Sequence, residues 1–256
     1  MPPRAGRPVG VALVDKPAGP SSFAIVAALR RRTRARTGHA GTLDPFATGL
    51  LVLLSGVATR LQPCFVGLDK RYVTDVDLTA TTATGDPEGE VIERHPAPAR
   101  AALEAGLARL RGEVELPIPA ASAVKIGGER AYKLQRRGVT VEMPVRRSLV
   151  HSLDLISSSG EDAAVETVRL ELHVGSGTYV RAIAQALGGH CTSLRRTAVG
   201  PFGLAEATSV EHAVLLPPSE VLARLPAAAL ERVPAAVRAG VLALEVGQGT
   251  TDGSAA

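Results

Sequence analysis

Apolar positions in this chain gather in short runs rather than in one long periodic array. Gly10 to Val14 is such a run, ends at Asp15 and reads as a strand; Gly49 to Ser55 is a second, buried one. Between them, Lys16-Pro17-Ala18-Gly19-Pro20 is a loop by its Pro and Gly content. Ser21 or Ser22 can then cap a helix running to about Arg32, with Ile25 and Leu29 on one face. A further helix is expected from about Val57 to Phe65. Arg71 to Thr79 alternates in part through Tyr72, Val73, Val76 and Leu78, as a half-buried strand does. Thr84-Gly85-Asp86-Pro87-Glu88-Gly89 is turn chemistry, and Val91-Ile92 resumes a strand. Residues 99–111 read as a helix, and Pro117-Ile118-Pro119 breaks the chain. Leu149 to Ser157 and Val165 to Val174 predict two strands around a Ser-Gly turn. A helix over Tyr179 to Leu187 and a strand over Thr197 to Phe202 follow. From about Glu211 the composition shifts to Ala, Leu and Pro at helical spacing, and the last seven residues are small and polar, with disorder expected. Strands interspersed with helices, without repeats or βαβ alternation, predict an α+β fold: a central mixed, mostly antiparallel sheet with flanking helices.

The 256 residues are 45% apolar, enough for a substantial core without covalent staples. No run approaches the roughly 18 apolar residues of a membrane span, and Met1 to Gly10 holds no apolar core of a signal peptide. A cytoplasmic protein is expected. Cys64 and Cys191 belong to no CxxC pair, and the six histidines show no HxxxH or HExxH spacing, so neither a disulfide framework nor a metal site is expected. Charge is uneven. Residues 1–72 carry 11 Lys and Arg against 3 Asp and Glu, whereas residues 151–256 carry 7 against 11. Of the 29 basic residues 25 are Arg, the residue suited to phosphate contact and base stacking, so an anionic polymer is a reasonable partner.

Three segments carry candidate chemistry. In Gly38-His39-Ala40-Gly41-Thr42-Leu43-Asp44-Pro45, a carboxylate flanked by Leu43 and Pro45 is partly desolvated, which is costly unless it is paired. In Asp69-Lys70-Arg71-Tyr72, an aromatic enters a strand beside two cations and could stack on a base. In Gly175-Ser176-Gly177-Thr178-Tyr179-Val180-Arg181, a glycine-rich turn opens a helix carrying Tyr179 and Arg181. Its glycine spacing is not that of a dinucleotide site. Each segment alone has an ordinary reading: a turn aspartate before proline, a strand tyrosine, an anion-binding helix N-terminus or surface arginine.

Taken in order, these segments resemble the bacterial tRNA pseudouridine-55 synthases of the TruB type, over roughly residues 9–230. The resemblance is carried by Asp15 to Ser22, by Gly38 to Leu51, and by Lys70-Arg71-Tyr72 and Thr84-Gly85-Asp86. Ser122-Ala123-Val124-Lys125, Gly177 to Arg181 and Leu194-Arg195-Arg196 complete it. It implies a pseudouridine synthase fold and an isomerase that breaks the C1′–N1 bond of a uridine, turns the base and joins C5 to C1′. No cofactor is implied, since the reaction has no redox step and no hydrolysis. By resemblance Asp44 is the catalytic carboxylate and Arg181 the arginine that pairs with it. Tyr72 stacks on the flipped uracil, Tyr179 packs against base or sugar, and Leu194 supplies an apolar wall. His39 occupies the space the base vacates. Lys16, the Arg30 to Arg36 cluster, Lys125 and the other cations of residues 120–147 (Arg130, Lys133, Arg136, Arg137) are phosphate-contact candidates. The implied partner is the tRNA T-stem-loop, bound by a monomer without membrane or metal.

The expected layout is a catalytic domain over residues 1–230 with a basic insertion at about 120–147, then a truncated or rudimentary segment over 231–256. The chain departs from the family pattern at Ala121, where a Tyr is usual, and at Gln185-Ala186, where an acidic residue is usual. Two other readings stand beside the tRNA enzyme: a guide-RNA-dependent relative acting on ribosomal RNA, and a tRNA-folding chaperone with weak catalysis.

Overall fold

The computed structural model describes residues 8–246 apart from 123, 138, 140 and 141. The first seven residues, Ala123 and the polar C-terminal end therefore lie outside the described residues. The chain forms two compact units, Met1–Lys70 with Arg196–Ala256, and Arg71–Arg195.

The first unit opens with β1 (Gly10–Lys16), α1 (Ser22–Thr33), β2 (Thr37–His39) and β3 (Thr48–Ser55). The two apolar runs pair antiparallel, from Gly10 opposite Ser55 to Lys16 opposite Gly49. β2 adds to β3, with His39 opposite Leu53. Ser21 is the residue that caps α1, accepting from the Ala24 amide at 3.2 Å. Arg30, Arg31 and Arg32 in the last turn complement the helix dipole, and Arg34 closes the helix at φ 52°. Arg32 reaches further and donates to the carbonyls of Val210, Glu211 and Ala213, so it fastens a loop rather than extending a basic face.

The helix expected from Val57 to Phe65 is broken. A 3-10 stretch at Gly56–Leu61 gives way to α2 (Gln62–Val66), because Pro63 in the first turn of α2 has no amide with which to continue the preceding helix. Lys70 ends this segment buried, donating to Val66 O at 2.7 Å and Leu68 O at 2.5 Å; burial draws its pKa down to about 8.

The second unit runs through β4 (Lys70–Asp77), β5 (Ala80–Thr82), β6 (Val91–Arg94), α3 (Arg100–Arg109) and β7 (Gly112–Pro117). The insertion follows: a miniature hairpin of β8 (Lys125–Ile126) and β9 (Glu129–Arg130), then α4 (Ala131–Arg136). Gly127 and Gly128 join the hairpin at φ 57° and 87°, the two left-handed positions a tight primed turn requires. β10 (Val145–Glu161), β11 (Ala164–Val174), α5 (Val180–Ala186) and β12 (His190–Val199) complete it. Here the strand order is β12-β4-β11-β10-β7. The β10–β11 hairpin is longer than the apolar runs predict. The Ser-Gly segment does not turn: Gly160 (φ 90°) sits at a register shift inside β10, and the reversal falls at Asp162 and Ala163. Polar Ser157 to Glu161 can extend the strand because hairpin pairing satisfies their backbone without burying their side chains.

Returning to the first unit, the strand expected over Thr197 to Phe202 is instead the end of β12 and β13 (Phe202–Gly203), folded back about Gly200 (φ 52°) and Pro201. α6 (Pro218–Ala223), α7 (Ala227–Leu230) and α8 (Ala235–Val246) then cover one core. That core joins Leu50, Val52 and Leu54 of β3 to Phe65, Phe202, Val221 and Val241, all buried. The ladders set out here are antiparallel, while an isolated bridge between Val14 and Thr208 is parallel. The fold is α+β. Among the described residues no helix is long and apolar enough to cross a membrane.

Gly49 marks the tightest backbone approach near the Asp44 loop. It has φ 100°, and a Cβ there would lie 2.3 Å from the Arg196 carbonyl oxygen. Gly49→Ala is expected to destabilise the protein by at least about 2 kcal/mol, through strain and backbone overlap together. Urea unfolding would show it as a lowered midpoint at constant slope; an unchanged midpoint would mean that this approach relaxes freely.

Candidate active site

The loop that bears Asp44 is held mainly by its backbone. After β2, the Ala40 amide donates to Val52 O at 3.0 Å, and the chain then leaves β3 until Thr48. Across this gap Ser22, buried at the start of α1, grips Leu43 twice: its hydroxyl accepts from Leu43 N (2.8 Å) and donates to Leu43 O (2.7 Å). The Ala47 amide closes a turn onto Asp44 O at 3.2 Å, and the Gly19 amide donates to Pro45 O at 2.9 Å.

Two buried cations complete the hold. Lys16 has no exposed surface, and its Nζ donates to the carbonyls of Pro17 (2.8 Å), Pro45 (3.0 Å) and Ala47 (2.7 Å). Arg196 donates from Nε to Leu50 O (2.7 Å), from Nη1 to Thr42 O (3.4 Å) and from Nη2 to Gly41 O (3.1 Å). Burying an ion costs several kcal/mol even after relaxation. Charge-assisted hydrogen bonds return about 1.5–3 kcal/mol each, so three of them roughly offset that cost. Net stability is therefore not what these cations supply. They fix the positions of carbonyls on both sides of Asp44, and they place positive charge under a loop that presents a carboxylate.

Lys16 is thus a correction to the sequence reading, which set it against a phosphate. Its charge is enclosed and committed to carbonyls. Asp44 itself is half-buried, at the edge where the loop meets solvent. His39 is also half-buried. Its carbonyl accepts from Gln62 Nε2 at 2.8 Å, while its ring Nδ1 is enclosed with no hydrogen-bond partner among the described residues. Burial, and then the charge of Arg196, hold the His39 pKa below the ordinary imidazole value, so the ring is neutral at neutral pH.

In the second unit the central residue is Arg181, in the first turn of α5 and 2% exposed. Its Nη1 donates to Thr84 O (2.7 Å) and to Asp86 Oδ2 (3.0 Å), and its Nη2 donates to Ala121 O (2.9 Å). Asp86 is buried as well. Its Oδ1 accepts from Thr84 Oγ1 at 2.5 Å and from the Glu88 amide at 3.1 Å, and the Thr82 hydroxyl donates to its carbonyl at 2.8 Å. A guanidinium and two further donors meet most of the hydrogen-bonding capacity of this carboxylate. Within its own unit the carboxylate that Arg181 meets is Asp86. The contact at Ala121 is made by its backbone carbonyl, so it does not depend on the side chain there.

The other expected residues of this unit are Tyr72, buried on β4, Tyr179, half-buried at the N-cap of α5, and Leu194, buried on β12. Ser193 beside Leu194 locks β12 to β4: Thr74 Oγ1 donates to its carbonyl at 2.6 Å, and its hydroxyl donates to Asp75 Oδ2 at 2.6 Å. Lys125 is exposed on β8, and Arg130, Lys133 and Arg137 are exposed around it. The side chain of Arg136 lies outside the described residues.

Sequence reasoning missed the roles of Ser22, Asp86 and Arg196. All three lie in the segments that carry the resemblance, but the sequence assigns no role to Asp86 beyond its turn, to Ser22 beyond a possible helix cap, or to Arg196. The signal available was their position in ordered motifs; their partners lie far away in sequence.

Residues 30–180 match the model of the TruB family pseudouridylate synthase, N-terminal domain. A protein named tRNA pseudouridine synthase B from Mycobacterium sp. (strain KMS) is 44% identical over 212 residues, covering 79% of this chain and 71% of that protein. One of the same name from Arthrobacter sp. (strain FB24) is 43% identical, with coverage of 79% and 70%. Among solved structures, a chain of a Cbf5–Nop10–Gar1 complex superposes with a TM-score of 0.56 at 27% identity, over 76% of this chain. A chain of an archaeal box H/ACA sRNP Nop10–Cbf5 complex has the same TM-score at 24% identity and shares the fold. This chain spans about half the length of each of those two solved chains. With more than half of its length matched by one family model and most of it aligned to close relatives, the chain belongs to the TruB family of pseudouridylate synthases.

Proposed function

We propose that this chain isomerises the T-loop uridine (position 55) of tRNA to pseudouridine, with Asp44 as the catalytic carboxylate. The reading is carried by one observation: the half-buried Asp44 sits on a loop whose backbone is pinned from both sides by buried cations. A carboxylate can act as nucleophile and then as leaving group, and a fixed position with positive surroundings keeps it ionised and aimed. The relatives named for tRNA stand at 40–44% identity and the Cbf5-complex chain at 27%, which favours tRNA over a guide-RNA-dependent substrate.

The target base must leave its stack to reach such a carboxylate, at a cost of a few kcal/mol. In this reading His39, neutral and only partly enclosed, occupies the vacated space. Tyr72 stacks on the uracil, Tyr179 and Leu194 line its pocket, and the Arg181 cation, oriented by Asp86, keeps Asp44 charged. Removal of the C5 proton after the new C–C bond forms completes a redox-neutral isomerisation. RNA contacts elsewhere offset the unstacking. Arg30, Arg31, Arg34 and Arg36 are exposed in the first unit, and Lys125, Arg130 and Lys133 in the second. The enzyme works as a monomer in the cytoplasm, with its tRNA.

The first test is tritium release from a T-stem-loop RNA carrying [5-³H]uridine. Asp44→Asn is expected to lower the rate by at least about 10⁴-fold while RNA binding stays nearly intact; binding lost in step with the rate would give Asp44 a structural role instead. Asp86→Asn keeps the shape of the carboxylate but removes its charge, and loosening Arg181 in this way should cost roughly 10²-fold in the single-turnover rate. A wild-type rate in that variant would remove the orientation of Arg181 from the mechanism. Changing Arg30, Arg31 and Arg34 together to Gln should flatten the dependence of log K on log salt by about 2. Parallel salt plots would exclude these arginines from the RNA interface.

A further inference from the structure

Phe23 is 71% exposed on α1, in a chain with only four Phe, three Tyr and no Trp. The buried side of that helix is already filled by Ile25, Val26 and Leu29, so core packing does not account for the ring. Its place is fixed closely. Ser22, the preceding residue, is the one hydrogen-bonded in both directions to Leu43 beside Asp44, so the backbone at Phe23 is tied to the candidate catalytic loop.

Helical spacing supplies the second observation. Ala27, Arg30 and Arg31 follow Phe23 at the fourth, seventh and eighth positions, on the same solvated stripe. Arg30 and Arg31 are exposed, and they begin about 10–12 Å along the helix axis from Phe23. Ala27 between them presents only a methyl group, which lets a strand lie close to the helix. A flat apolar ring beside spaced guanidinium groups is the arrangement on which single-stranded nucleic acid binds, with a base on the ring and phosphates on the cations. One ring among cations is a poor match for an apolar protein partner.

We infer that Phe23 is a stacking platform for an unpaired base of the substrate RNA, with Arg30 and Arg31 holding the phosphates of the same strand. The assignment rests on the RNA-modifying reading above. It adds a base contact outside the pocket of the reacting uridine.

Because the chain has no tryptophan, Phe23→Trp creates a single fluorescent reporter at the site. Titration with the T-stem-loop RNA is expected to quench its emission strongly, as stacking does, whereas a fully paired RNA duplex of equal charge should quench it little. In a separate binding assay, Phe23→Ala should weaken stem-loop affinity by roughly 5- to 30-fold, with Phe23→Tyr restoring most of it. A melting curve of Phe23→Ala close to wild type would show that an exposed ring was removed without unfolding. Emission unchanged at saturating stem-loop overturns the stack, even where Phe23→Ala binds weakly; so does Phe23→Ala binding like wild type. The two readings fail separately. Flat emission alongside normal pseudouridine formation by the wild type sinks the stack alone. Quenching without any product from the wild type supports the stack and sinks the enzymatic reading.

Discussion

Backbone carbonyls that turn into a protein interior must find donors, and around Asp44 that requirement is met by Lys16 and Arg196. Everything else about the loop follows from it. Lys16 ends β1 opposite Gly49, so the register of the β1–β3 ladder decides where its ammonium reaches. Arg196 approaches from β12 over a glycine whose missing side chain makes room for its backbone. Sheet register thereby becomes loop geometry, and loop geometry sets where a carboxylate emerges. The interior charges are not there for net stability, because desolvation takes back most of what their hydrogen bonds contribute.

The second unit repeats this logic with a different acceptor set. Arg181 is planar and presents its donors as a fork, and its bonds to the carbonyls of Thr84 and Ala121 and to the Asp86 carboxylate within its own unit leave the guanidinium plane little freedom. Asp86 is in turn held by Thr84 and by the Glu88 amide. A buried pair of this kind is weak evidence for stability and better evidence for orientation. The arginine most expected to touch the chemistry is therefore set by a turn almost a hundred residues earlier in the chain.

The apolar runs of β1 and β3 and the cap of α1 could be read directly, because each rests on neighbours in sequence. The break at Pro63 was legible in principle, since a proline inside a helical run is a local signal that outweighs apolar periodicity. The length of β10 was not: Ser157 to Glu161 carry no apolar alternation, and only hairpin pairing makes them strand. The candidate site shows the same division. Asp44, Tyr72 and Arg181 stood out as unusual residues in motifs. The enclosure of Lys16 did not, because a lysine after a strand and before Pro-Ala-Gly looks solvated until the fold closes over it. Asp86 and Arg196 act across long sequence separations, where spacing carries no information about partners.

In each unit, the contacts made by these buried cations end largely on main-chain oxygen. Lys16, Arg196 and Arg181 hold peptide groups at Pro45, Ala47, Gly41, Thr42, Leu50, Thr84 and Ala121, and a carbonyl oxygen is the same whatever side chain follows it. The grip itself is thereby indifferent to the side chain at the gripped position, whereas it depends on the identity of the gripping residue. Ala121 is an instance: its carbonyl is held by Arg181, and its side chain plays no part in that bond. Side chains can change at such positions without loosening this grip, provided backbone conformation is kept, and three cations bear that part of the constraint on behalf of many residues.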